Sequence, residues 1–321
     1  MKRLPEGTAA LLLMLCCVFW GLSFPLMALV QNGLPGSEAA RGATTNAWRY
    51  LVAGLLLMAC FRRRPDAADW RGGLVIGVFM GGGMFFQIVG LSWVVPSVSG
   101  MITSLTVVLA PLAQAFILRR PVARRTWLAA AIAVIGCLVL TQGEGEAAAT
   151  SLLRPPPFPY AGEIATAIGT CFFTATILAI DRYAPAAHPT RMSALMFLTV
   201  AVVNLIASLP FGGHAHYTIA VAGAVLADRT WVLALATLVV VCSIGAFWIM
   251  NRAQPSVTPA RAAVIYCLEP VFALLFSLAL GQEHLTAATI LGGSLVIGAA
   301  LLAAMPARKA GAGGTGEAVR E

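Results

Sequence analysis

Leu268-Glu269-Pro270-Val271 lies inside the apolar run Ala260–Leu280. It places a carboxylate and a helix-kinking proline near the middle of a segment long enough to cross a bilayer. A charge at that depth is costly, so Glu269 is a functional candidate by default. It stands about nine residues from the start of the run, about 13 Å at 1.5 Å per residue. An ionised Glu269 needs a partner there; without one it takes up a proton. Two readings stand side by side. Glu269 is a proton-coupling or cation-binding group, or it hydrogen-bonds backbone groups freed by Pro270.

Working outward, the rest of the chain has the same apolar character. Of 321 residues, 59% are hydrophobic and 11% are charged, with a mean hydropathy of +0.86. A soluble domain has about 45–50% apolar and about 25% charged residues. The excess falls in blocks of bilayer length, about 20 residues each. These are Thr8–Val30, Asn46–Phe61, Gly72–Trp93, Pro96–Leu118, Trp127–Thr141, Tyr160–Ile180, Met192–Phe211, Thr230–Met250, Ala260–Leu280 and Ala287–Met305. The pattern predicts an all-α integral membrane protein with ten transmembrane helices. Thr8–Val30 is too long for the apolar core of a cleaved signal and reads as the first of them. Pro155-Pro156-Pro157 marks the junction between halves, and the tail after Pro306 reads as disordered.

The net charge of +8 does not point to nucleic acid, because the basic residues sit in short loops between apolar blocks. With the N-terminus cytoplasmic, seventeen Lys and Arg side chains fall on the cytoplasmic side. Arg41, Arg154 and Arg229 fall outside, and Arg49 lies within the membrane. That asymmetry predicts a multi-pass protein of the cell (plasma or inner) membrane with both termini cytoplasmic. The seven cysteines lie in apolar runs without metal-ligand spacing and read as packing residues. His214 and His216 read as a solvated loop. Neither a metal nor a cofactor is expected. Gly81-Gly82-Gly83 lacks the Lys-Ser/Thr of a phosphate loop and reads as a close helix approach. With no nucleotide-hydrolysing motif, direct ATP drive within this chain is not expected; with no cluster of His, Asp or Ser of the kind membrane-embedded lipid enzymes need, the chain is not expected to be an enzyme.

A shift of 159 residues lays Pro96-Ser97-Val98 on Pro255-Ser256-Val257 and Leu109-Ala110-Pro111 on Leu268-Glu269-Pro270. A small gap later, Ile135-Gly136 meets Ile297-Gly298. An odd number of helices per repeat makes the halves cross the membrane in opposite senses, the construction of many secondary transporters. The expected units are residues 8–143, a linker 144–159, residues 160–305 and a tail 306–321.

The second half resembles the EamA module of the drug/metabolite transporter superfamily. The resemblance rests on Asn251-Arg252-Ala253, Thr258-Pro259-Ala260, Leu268-Glu269-Pro270-Val271, Gly281-Gln282-Glu283, Gly292-Gly293 and Gly298. The first half is similar at Trp20-Gly21-Leu22-Ser23-Phe24, Arg49 and Gly90-Leu91. The first half departs from the family pattern at Pro25, at Ala110 in place of the acidic residue, and at Arg119-Arg120-Pro121 in place of Gly-Glu. The resemblance implies ten helices and solute movement by alternating access. Helices one to four and six to nine would enclose the path, with five and ten at the periphery.

The candidate substrate-binding or coupling residues are Trp20, Ser23, Arg49, Gln87, Glu163, Tyr266 and Glu269, with Pro111 and Pro270 as helix kinks. Arg49 reads as a carboxylate-binding or acid-paired group, or as an arginine snorkelling to the outer headgroups. Glu163 reads as a helix-dipole partner or as the acid that pairs with Arg49. Trp20, Ser23, Gln87 and Tyr266 read as lining groups or as ordinary packing. Asn251 and Arg252 read as anchors or gate elements. The expected function is secondary transport of small metabolites, such as amino acids or related amphipathic compounds, by an exporter or facilitator. A proton-coupled multidrug or cation exporter is the alternative. A membrane-embedded lipid enzyme or a receptor stands behind both. The expected partners are a small solute, the bilayer and protons.

Overall fold

The computed structural model describes residues 3–31, 38–61, 63–91, 93, 99, 102–142, 159–209, 223, 228–280 and 285–305. In chain order the helices are α1 (Glu6–Gln31), α2 (Glu38–Ala59), α3 (Ala67–Leu91), α4 (Ile102–Phe116) and α5 (Arg124–Gln142). They continue with α6 (Ala161–Tyr183), α7 (Pro189–Ser208), α8 (Arg229–Ser256), α9 (Pro259–Ala279) and α10 (Ala287–Ala304). Seven are long and apolar enough to cross a membrane, and α4 is a shorter apolar helix. Thr44, Thr45, Asn46 and Arg49 make α2 the most polar of the set, and all four are buried. The helix therefore turns its polar face inward, as lipid requires. It begins eight residues before the expected Asn46, and Arg49 lies well inside it. The proline-rich junction, His214, His216, the Gly281-Gln282-Glu283 motif and the tail lie outside the described residues.

Packing follows a two-fold logic. Three pairs join a helix to its own counterpart in the other half: α5 with α10, α2 with α7 and α4 with α9. The remaining main pairs come in twos: α3–α6 with α8–α1, α3–α7 with α8–α2, and α4–α6 with α9–α1. Exchanging each helix with the one five places on returns the same set. Helices α5 and α10 pack mainly on each other, outside the other eight. Gly82 and Gly83 lie against the rings of Phe172 and Phe173 on α6, so the glycine triplet serves close helix approach.

Three sets of ion pairs lie on one face, where α1 starts and α10 ends; we call it the terminal face. Arg261, at the start of α9, donates to the Ala303, Ala304 and Met305 carbonyls and pairs with Glu6 at 2.8 Å. It thus caps α10, whose last carbonyls lack helical partners. Arg120 pairs with Asp181 at 2.6 Å, joining the α4–α5 loop to the end of α6. Arg191, in the first turn of α7, pairs with Asp69 and Asp66 at the start of α3. Each pair ties the first half of the chain to the second.

Two irregularities interrupt the rods. Helix α9 breaks at Cys267-Leu268, just ahead of Glu269 and Pro270. Proline cannot donate to the carbonyl four residues back, and the chain turns over instead through Cys267 N–H to Val264 and Leu268 N–H to Ile265. Pro111, by contrast, lies inside a continuing helix. In α8, Leu238–Gly245 is π-helical. Such insertions occur often at functional sites.

Candidate functional site

Five aromatic rings meet between α1, α2, α7, α8 and α9. Trp20 lies 5.2 Å from Phe247 and 5.3 Å from Tyr266, centre to centre. Tyr50 lies 5.9 Å from Phe247 and 5.6 Å from Phe197, and Phe197 lies 5.8 Å from Phe247. Tilted and edge contacts at these distances fit the ring quadrupoles. The backbone brings them together through a close approach at Gly21, next to Trp20. A β-carbon there would fall 2.6 Å from Phe272 Cβ, so α1 lies directly on the second half of α9.

Charges of both signs border this cluster. Glu269 opens the second half of α9 and is half-buried. Its carboxylate has no hydrogen bond or ion pair among the described residues, and the Tyr50 hydroxyl and the Cys17 thiol lie within its electrostatic range. Arg49 is 5% exposed. Its Nε donates to the Ser243 hydroxyl at 2.6 Å, and its guanidinium sits 5.2 Å from the Tyr50 ring centre. Ser243 in turn donates to the Leu238 carbonyl at 2.9 Å, five residues back along the π segment. Among the described residues no carboxylate pairs with Arg49. Burial inside the bundle replaces the snorkelling geometry, and Ser243 takes the place of Glu163 as its partner.

The other candidates divide. The Trp20 Nε1 donor is buried without an acceptor among the described residues. Tyr266 is committed: its hydroxyl donates to Gln254 at 2.7 Å, and Gln254 donates to the Ile177 carbonyl at 2.7 Å. Gln87 donates to Thr103 at 3.2 Å, away from the ring cluster. Ser23 is half-buried one turn along α1 from Trp20. Glu163 lies in the first turn of α6, which packs on α3 and α4 rather than on α2. Asn251 is buried and donates to Ser193 at 2.9 Å, anchoring α8 to α7. Cys16, Cys17, Cys137, Cys242 and Cys267 are buried, as packing residues are, whereas Cys60 and Cys171 are exposed. Cys60 borders a shallow cavity of about 380 Å³ on the terminal face, with Phe61, Arg63, His188, Thr190 and Arg191.

Sequence reasoning missed Tyr50, Phe197, Phe247 and Ser243. Tyr50 follows Arg49 directly, and that adjacency was the available signal. Nothing in the text marks Ser243, because its role depends on how α8 winds.

Comparison with known proteins agrees with this architecture. The EamA-like transporter family matches residues 7–142 and, a second time, residues 161–305. An uncharacterized transporter of Archaeoglobus fulgidus is 25% identical over 293 residues, covering 91% of this chain and 84% of that one. One solved crystal structure superposes with a TM-score of 0.73 at 18% identity, covering 94% of this chain and 97% of that one. At that identity the likeness speaks for the fold.

Proposed function

This chain belongs to the EamA-like transporter family of the drug/metabolite transporters, and from that premise we propose that it carries small amphipathic metabolites, amino acids among them, through the ring cluster between its halves. It is a multi-pass membrane transporter. The observation that carries the substrate reading is the pair of opposite charges, Arg49 and Glu269, at one aromatic cluster. Neither has an oppositely charged partner among the described residues. Arg49 would receive an anionic group of the solute, since its planar fork suits a carboxylate. Glu269 would receive an ammonium group or a proton. The rings and the unpaired Trp20 donor would hold the rest, as mixed polar–apolar sites do.

In this reading the chain crosses the membrane ten times, residues 8–143 and 160–305 form the two repeats, and the terminal face is cytoplasmic. The repeats rock about the ring cluster by alternating access, and the protein works as an exporter or facilitator. The positive charge of the terminal-face loops supports this orientation. A proton-coupled exporter of cations is the second reading, favoured by a Glu269 that has no cationic neighbour bonded to it among the described residues. Counterflow in proteoliposomes, with a panel of amino acids, nucleosides and cationic drugs, tests both. Saturable exchange of zwitterions or anions that is lost in Arg49→Gln supports the first reading. Exchange of cations alone, driven by a proton gradient, overturns it in favour of the second. No saturable exchange of any compound overturns both.

A further inference from the structure

The 159-residue shift extends to the starts of α3 and α8. Ala68-Asp69 falls on Ala227-Asp228 without a gap. The two aspartates stand at equivalent ends of equivalent helices, on opposite faces of the bundle. Their surroundings differ sharply. The Asp69 side chain is 0% exposed. It accepts from Arg191 Nε, from the His188 backbone N–H at 2.7 Å and from the Asp66 N–H at 3.0 Å. It therefore holds α3 to the start of α7, one repeat to the other. Asp228 is exposed. Its bond among the described residues is to Thr230 N–H of its own helix, at 2.8 Å.

The helices themselves show the same inequality. Helix α3 lies on α7 from its first turns: a β-carbon on Gly73 would fall 2.4 Å from Leu195 Cβ. The equivalent pair, α8 and α2, meets along Leu238–Gly245, while the first turns of α8 (Arg229–Thr237) rest on α1. Among the described residues, the terminal face is drawn together across the repeats at a point where no equivalent contact joins the start of α8 to α2. Arg41 lies near the start of α2 as Arg191 lies near the start of α7.

We propose that Asp69 and Asp228 are alternating latches. In the conformation described, Asp69–Arg191 closes the terminal face. In the opposite conformation that pair parts and Asp228 closes the other face on the start of α2, at Arg41. The physical cause is the repeat: one sequence element placed twice, in inverted sense, gives two closures that cannot both form while the halves rock as rigid bodies. A closure that holds one state and not the other shifts the populations by its differential free energy. This inference rests on the transporter reading, but its test needs no solute.

Ser23→Cys serves as a reporter at the ring cluster, labelled with a membrane-impermeant maleimide in vesicles of each orientation, against the unsubstituted chain as background. With the Asp69–Arg191 latch intact, labelling is faster from the face opposite the termini. Asp69→Asn is expected to raise labelling from the terminal face by about tenfold. The exchange Asp69→Arg with Arg191→Asp restores the original sidedness, which separates loss of the latch from loss of folding. Independently, Asp228→Cys with Arg41→Cys is expected to cross-link under oxidation and to remove labelling from the opposite face. Unchanged sidedness in Asp69→Asn overturns the proposal. So does failure of the Asp228→Cys/Arg41→Cys pair to cross-link in the folded protein, or a cross-link that leaves the opposite face open. A chain that shows both shifts in labelling yet moves no solute refutes the transport reading and leaves the latch standing.

Discussion

Arg49 Nε and the Ser243 hydroxyl lie 2.6 Å apart in the buried centre of the bundle, joining α2 to the π segment of α8. Ser243 completes the arrangement by donating to Leu238. An arginine at membrane depth is tolerated where it faces the bundle interior and finds polar partners. Ser243→Ala leaves the Arg49 Nε unpaired, at a cost of about 1–3 kcal/mol. The expected result is a lower thermal midpoint in detergent with counterflow retained at reduced affinity. Arg49→Lys keeps the charge but loses the planar fork, so affinity for a carboxylate-bearing solute falls by about tenfold. Equal affinities for Arg49→Lys and the unsubstituted protein would remove Arg49 from the binding site.

Glu269→Gln keeps the volume of the side chain and removes its charge. The carboxylate makes no hydrogen bond among the described residues, so the substitution is expected to fold normally. The pH dependence of transport should flatten. If a folded Gln variant keeps the pH profile of the unsubstituted protein, Glu269 has no part in coupling.

Gly73 and Gly298 separate packing from propensity. Gly73→Val forces Cβ against Leu195 and must push α3 from α7, costing about 1–3 kcal/mol by overpacking. Gly298 has nothing within 4 Å of a built Cβ. Gly298→Ala is therefore expected to be neutral or to stabilise α10 by about 0.5–1 kcal/mol. Thermal midpoints of the two variants, measured side by side, should move in opposite directions.

Asp66 lies in the loop before α3. The Asp69 backbone N–H holds its carboxyl below the usual carboxylate range, and the Ala68 N–H and Arg191 add to this effect. A depressed carboxyl contributes its stability above its ordinary pKa and loses it as pH falls through the lowered value. The gap in thermal midpoint between the unsubstituted protein and Asp66→Asn should be constant near neutrality and shrink below about pH 4. A gap that persists at lower pH would show that Asp66 acts through shape rather than charge.

Much of the architecture was legible in the chain because a bilayer imposes simple rules. Apolar runs must be helical, since lipid offers no partner for backbone groups. The recurrence of Pro96-Ser97-Val98 as Pro255-Ser256-Val257, an odd number of helices later, implied inverted halves. Glu269 and Arg49 stood out for the same reason, as charges placed where charges are costly. The lining residues were less legible. Tyr266 and Gln87 look like free polar tips in the text, yet their partners, Gln254 and Thr103, are supplied by the fold.

The sequence by itself determined the fold class and the repeat, and it marked Glu269 and Arg49 as charges inside apolar runs. These follow from hydropathy and spacing, which are properties of one segment at a time. Tertiary structure alone decided that Ser243 and not Glu163 holds Arg49, that Tyr50, Phe197 and Phe247 join Trp20, and that Asp69 is buried while Asp228 is exposed. Those outcomes depend on contacts between segments far apart in the chain, as with Arg49 and Ser243, separated by 194 positions. Local pattern does not encode such contacts, because they depend on how whole helices rotate and tilt to pack.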